Sequence, residues 1–179
     1  AIDFIKRSPK DPFYLHLTYN APHTPLQAPE EDLAVFRDRD DLSEAVKILY
    51  AMIRRLDRNV GRLLESVEQL GLRENTLIVF SSDNGPTYAG GADSKFFESA
   101  GPFRGLKGST YEGGIRVPLF VKWPAEIAPG TTVKTPVAHI DMMPTLAAAA
   151  DAALPADVVI DGVDLLPLTS GSATREGAD

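Results

Sequence analysis

The chain has 179 residues, 44% of them hydrophobic, with 18 basic and 25 acidic side chains and a net charge of −7. That length and apolar content predict one globular unit with a packed core, and the lack of any block of like charges argues against nucleic acid as a partner. Cysteine is absent, which excludes disulfides, thiolate metal sites and a cysteine nucleophile in this segment, and no apolar run reaches membrane-spanning length.

The chain begins at Ala1, and its opening AIDFIKRSPKDP lacks the charged-then-apolar pattern of a secretory signal. FYLHLTY, residues 13–19, follows Pro12 and precedes NAPHTP, so it predicts a buried strand running into a stiff loop.

Val46, Leu49, Tyr50, Ile53, Leu56, Val60, Leu63, Leu64, Val67 and Leu70 then recur at steps of three and four. This spacing predicts an amphipathic helix with its Arg, Asp and Glu residues on the opposite face. Asp41 with Glu44 predicts a capping box, and Gly71 a left-handed stop.

TLIVFSS, residues 76–82, has no polar alternation in its apolar part, as expected of a strand covered on both faces. With FYLHLTY and the helix it predicts a β-α-β unit. IRVPLFVKWP predicts a third strand, in which Pro118 implies an irregular or edge start.

APGTTVKTPVAHID is turn-rich, and Asp141 is expected to cap the helix MMPTLAAAAD, where Pro144 falls early enough to be tolerated. There is no internal repeat, and the Ala-rich patch at 147–153 predicts close helix packing. TSGSATREGAD, from Thr169, reads as a frayed or cut end. The fold class predicted is α/β, a mostly parallel sheet with flanking helices.

Ligands of open parallel sheets collect beyond the carboxyl ends of the strands. Asp83 and Asn84 stand at one such end, in SSDNGPT, and His23 follows another. An adjacent acid and amide offer hard oxygen ligands suited to calcium or magnesium. Asn84-Gly85 is equally a hairpin-turn signal, and that reading stands beside the first, although Pro86 and YAGGADSK follow where a second strand would have to begin.

His23 lies between Pro22 and Pro25, a restrained setting that suits acid–base work or gripping an anion, with an ordinary solvated loop histidine as the alternative. His16 and His139 look structural. GPFRGLKGSTYEGGIRVP surrounds Arg104, Lys107 and Arg116 with five glycines, which allows close backbone approach and presents positive charge to an oxyanion. It lacks the spacing of a P-loop, and the alternative is a mobile surface loop. No G-x-S-x-G elbow and no metal-site histidine spacing occur. Together these groups fit hydrolysis of a charged oxoacid ester.

NAPHTP, FSSDNG and GPFRGLKGSTYEGGIRVP, in this order, resemble the type I sulfatases of the alkaline phosphatase superfamily, nearest in pattern to arylsulfatases and N-acetylgalactosamine-6-sulfatases. HIDMMPTLAAAA and DGVDLLPL look like the family's next two segments, so the resemblance spans about residues 12–170.

It implies that Asp83 and Asn84 are calcium ligands, with magnesium as the alternative metal. By the same resemblance His23 lies at the sulfate and Lys107 binds a sulfate oxygen. Arg104 is placed as a substrate contact, and Glu112 and Arg116 as residues that shape the loop. The implied substrate is a small-molecule or glycan sulfate ester, attacked by a formylglycine hydrate. A periplasmic, extracellular or lysosomal location is implied too.

The pattern C/S-x-P-x-R, from which formylglycine is made, does not occur here, and the two amino-terminal aspartates of the implied calcium site are absent as well. Residues 1–170 are therefore expected to be the later part of a catalytic α/β domain that is incomplete here, with 171–179 as a polar tail, and the isolated chain is expected to be inactive. The rival readings are a phosphodiesterase or phosphonate ester hydrolase of the same superfamily, and a non-catalytic calcium-dependent binder of sulfated glycans.

Overall fold

The computed structural model describes residues 1–7 and 10–169. The expected tail at 171–179 lies outside them. The chain divides into two compact units, residues 1–72 with 79–120 and residues 73–78 with 121–179, where length and composition predict one.

In the first unit, α1 (Ile2–Arg7), α2 (Glu30–Leu33) and the long α3 (Glu44–Gln69) pack together. Val46, Leu49, Ala51, Met52 and Val67 of α3 are buried, with Ile5 and Leu42. The predicted apolar stripe is largely this face, but Ile53 is 41% exposed while Ala51 and Met52 are covered.

The helix starts from Ser43, whose hydroxyl accepts from the Val46 N–H at 3.3 Å. Asp41 does not cap it, because its carboxylate takes two hydrogen bonds from Arg39 at 2.7 and 2.6 Å. Gly71 ends it as predicted, at φ +70°.

Three of the arginines on the face opposite the apolar stripe converge on one acid. Asp32, on α2, is fully buried, and its carboxylate accepts from Arg54 Nη1 and Arg55 Nε at 2.6 Å each and from Arg58 Nη1 at 3.2 Å. Burial pushes its pKa up, but the hydrogen bonds and charges of Arg55, Arg54 and Arg58 outweigh this and hold it below the ordinary value of 3.8.

A carboxylate with a lowered native pKa adds stability above its unfolded pKa and loses it as pH falls through the native one. Asp32→Asn is thus expected to lower the melting temperature at pH 7 more than Asp41→Asn, whose ion pair is more than half exposed on both sides. Circular dichroism melts of wild type and Asp32→Asn should converge as pH drops below 3.8. A gap that does not narrow at all as the solution is acidified would assign the effect to packing instead.

β1 (Ile78–Ser81) and β2 (Leu119–Lys122) form the sheet among the described residues. Both lie within predicted strands, and Pro118 stands just before β2, where its missing N–H costs no ladder bond. FYLHLTY is not a strand: no sheet partner meets it among the described residues, and Tyr14, His16, Leu17 and Tyr19 are exposed. A lone segment cannot form a ladder, so the predicted β-α-β unit is not completed here.

Between the strands, α4 (Glu112–Ile115) carries the glycines Gly113 and Gly114, both buried. In the second unit, a 3-10 turn at His139–Asp141 leads into α5 (Met142–Ala149), with Pro144 in its first turn. Asp141 is fully buried but does not cap α5. Its two oxygens accept instead from the N–H groups of Ala138 at 2.8 Å and Val163 at 3.0 Å.

Thr145 continues the tie. Its hydroxyl donates to the Asp141 carbonyl at 2.6 Å and accepts from the Leu165 N–H at 2.9 Å. This fastens DGVDLLPL to the preceding helix, and Leu165 and Leu168 complete a small core. Thr169, expected to begin the tail, is the last residue of α6 (Leu166–Thr169). The fold class is α/β.

Candidate functional site

Beyond β1 the chain bends through Asp83 and Asn84 and opens no tight hairpin, since the strand that pairs with β1 is β2, which begins only at Leu119. The Ser82 hydroxyl donates to the Asn84 carbonyl at 3.0 Å, and the Asn84 amide nitrogen donates to the Gly85 carbonyl at 3.0 Å. With its nitrogen so engaged, Asn84 has Oδ1 left as an acceptor. The Asp83 carboxylate is exposed beside it.

Two backbone bonds then gather the glycine-rich loop onto this segment. Gly85 N–H donates to the Gly114 carbonyl at 2.9 Å, and Lys107 N–H donates to the Pro86 carbonyl at 2.7 Å. The contact is so close that a Cβ on Gly85 would lie 2.2 Å from the Gly113 oxygen. The sequence-predicted Asp83, Asn84 and Lys107 therefore share one locally bonded structure. Lys107 has no carboxylate partner among the described residues.

His23 sits in a turn closed by its own N–H to the Asn20 carbonyl at 2.7 Å. Its Nδ1–H donates to the Thr24 carbonyl at 2.8 Å, which leaves Nε2 as the acceptor of the neutral ring. This histidine makes no hydrogen bond to Asp83, Asn84 or Lys107 among the described residues. Its loop nevertheless meets the segment that follows Asp83 and Asn84: Thr24 lies against Gly90, and Leu26 lies 3.5 Å from a Cβ placed on Gly91.

Arg104 stacks its guanidinium 3.9 Å from the Tyr111 ring centre, and Arg116 lies 4.6 Å from that of Phe103. Arg116 also donates to Glu112 at 2.7 Å. Glu112 and Arg116 thus form an exposed ion pair whose guanidinium lies beside Phe103. Sequence reasoning missed Phe103 and Tyr88, which line an open cleft with Lys107.

Asp83 and Asn84 have the right chemistry for a hard cation, one carboxylate and one amide oxygen. They are two donors where calcium takes about six to eight, and no cluster of three or more His, Cys, Asp or Glu suited to a metal occurs among the described residues. The pair fits calcium or magnesium as part of a larger shell. No helix among the described residues is long and apolar enough to cross a membrane.

The sulfatase family model matches residues 1–152. Mouse (Mus musculus) steryl-sulfatase is 39% identical over 175 residues, covering 96% of this chain and 27% of its own length. The solved structure of Ps i-CgsB in complex with k-i-k-neocarrahexaose superposes with a TM-score of 0.84 at 38% identity, over 96% of this chain and 37% of that one. The PsFucS1 sulfatase from Pseudoalteromonas sp. gives a TM-score of 0.76 at 27% identity, over 94% and 32%.

The chain spans 27–29% of the length of the steryl-sulfatases that it matches. Its α/β fold is that of the alkaline phosphatase-like sulfatases, and the chain belongs to the sulfatase family.

Proposed function

We propose that the protein carrying this chain hydrolyses sulfate esters, and that these residues form the later part of its catalytic α/β domain, 1–170, followed by a polar tail, 171–179. The observation that carries this reading is the backbone clamp, Lys107 N–H on the Pro86 carbonyl and Gly85 N–H on the Gly114 carbonyl. It gathers a hard oxygen pair and an unneutralised cation into one structure.

Asp83 and Asn84 would hold calcium, or magnesium, as two ligands of a shell completed by residues outside this chain. The metal supplies charge neutralisation and orientation for the bound sulfate. Lys107 sets a point charge against a sulfate oxygen, where negative charge grows in the transition state. His23, with Nδ1–H committed to Thr24, offers Nε2 to hold or release a proton at the ester. Arg104 reaches the substrate from the loop.

The nucleophile in this reading is a formylglycine that residues outside this chain provide. The substrate is a small-molecule or glycan sulfate ester, and the setting periplasmic, extracellular or lysosomal.

The test is hydrolysis by the protein in its full length of a matched pair, 4-nitrophenyl sulfate and bis-4-nitrophenyl phosphate, before and after chelation. Faster chelator-sensitive release from the sulfate is the expected result. A preference for the phosphodiester would move the assignment to phosphoester hydrolysis. Binding of sulfated sugar without turnover of either would make it a lectin-like domain.

A further inference from the structure

Lys107 forms part of the wall of an open cleft of about 600 Å³ in the first unit. That volume suits a small organic ligand. Tyr88, Ala100, Phe103 and Leu106 supply the apolar part of the wall, and Lys107 is the one charged side chain among the lining residues. A site with one cation and several aromatic or aliphatic surfaces suits a ligand with one anionic end and one apolar face.

Phe103 is not a loose surface ring. The Arg116 guanidinium lies 4.6 Å from its centre, and Arg116 is itself held by Glu112 at 2.7 Å. The backbone supports it as well, through the Phe103 N–H on the Ala100 carbonyl at 3.0 Å. As residues, Phe103 is 36% exposed and Tyr88 71% exposed in this chain. Phe103, oriented by these neighbours, gives a ready stacking surface, since little of its rotamer freedom remains to be lost on binding, and Tyr88 shares the wall of the same cleft.

We propose that Tyr88 and Phe103 form a ring-binding subsite beside Lys107, which seats the organic group of the ester by its apolar ring face. The proposal rests on the reading of Lys107 as the sulfate ligand. The shared chemistry is a flat or gently puckered C–H surface, which an aryl ring and a pyranose both present. A short linear alkyl ester presents none.

Kinetics on the full-length protein separate these cases. The substrates are 4-nitrophenyl sulfate, a pyranose 6-sulfate and a short linear alkyl sulfate, and the variants are Phe103→Leu, Tyr88→Leu and Phe103→Tyr. Aromatic contacts of this kind correspond to about 3- to 10-fold in binding. The ratio of kcat/KM for ring esters over the linear ester is expected to fall by that factor in both Leu variants, through KM, and to recover in Phe103→Tyr.

A fall confined to the aryl ester, or to the pyranose ester, identifies which ring the subsite takes. An unchanged ratio, or an equal loss on all three substrates, overturns the subsite. If the wild type cleaves phosphodiesters instead, the sulfate reading has failed, and the same ring-to-linear ratio measured on phosphodiesters still decides the subsite. If nothing turns over, equilibrium binding of the same esters decides it, since a ring preference that Phe103→Leu abolishes is required.

Discussion

Lys107→Ala in the full-length protein is expected to lower kcat/KM for sulfate ester hydrolysis by about 10²–10³-fold, the usual cost of losing one preorganised group that meets charge developing in the transition state. The size follows from how the lysine is placed. Its backbone N–H is bonded to the Pro86 carbonyl at 2.7 Å, so its Cα is held against the segment that begins with Asp83 and Asn84.

Gly108, with φ +90°, turns the chain away immediately afterwards. An ammonium on a stem fixed at its root meets an oxyanion without much reorganisation. Lys107→Arg should recover only part of the loss, because the planar guanidinium spreads the charge and needs more room than a compact ammonium. Steady-state kinetics with sulfate release as readout checks both variants. A loss below threefold for Lys107→Ala would mean that this side chain points its charge elsewhere.

What the sequence made legible differs by element, for physical reasons. α3 could be read because its burial repeats with the helix period, and its stop because Gly71 needs a positive φ. β1 and β2 could be read because their apolar runs are too short for a helix and rich in β-branched and aromatic residues.

FYLHLTY carries the same local pattern but forms no strand here, since a strand exists only with a partner and partners are not written locally. Asp32 shows a second limit. A buried acid joined to arginines 22, 23 and 26 residues later looks, in one dimension, like ordinary surface charge. Asp141 shows a third: its position before a helix predicted a cap, but its oxygens serve Ala138 and Val163 instead.

Within the candidate site, residue types were legible and their assembly was not. Asp83, Asn84, His23 and Lys107 stood out by chemistry and by motif. That Lys107 is bonded to the DNGP segment, while the His23 loop meets the later Gly90–Gly91 segment through Thr24 and Leu26, required the structure. Phe103 gave no signal, because an aromatic residue in a glycine-rich loop is ambiguous until its neighbours are known.

The glycines of the clamp lead to the second large expected effect. A Cβ on Gly113 would lie 2.2 Å from the Gly105 oxygen and 2.7 Å from that of Arg104, and one on Gly85 would lie 2.2 Å from the Gly113 oxygen. Neither glycine has a positive φ. Close approach, and not backbone conformation, is therefore what excludes a side chain.

The opposing atoms are backbone carbonyls in bonded turns, which cannot rotate aside as a side chain would. Gly113→Ala is expected to destabilise the protein by about 3 kcal/mol, at the upper end for overpacking. A displacement near 1 Å at the loop carrying Lys107 should also lower kcat by about 10²-fold in whatever folds.

Gly61→Ala is the matched control. Gly61 lies within α3, and a Cβ there meets nothing within 4 Å. That variant should gain up to about 1 kcal/mol from helix propensity. Chemical denaturation of the two variants measures the contrast directly. Equal stabilities would show that the clamp opens without cost, and the site would then lose the rigidity on which the charge placement of Lys107 depends.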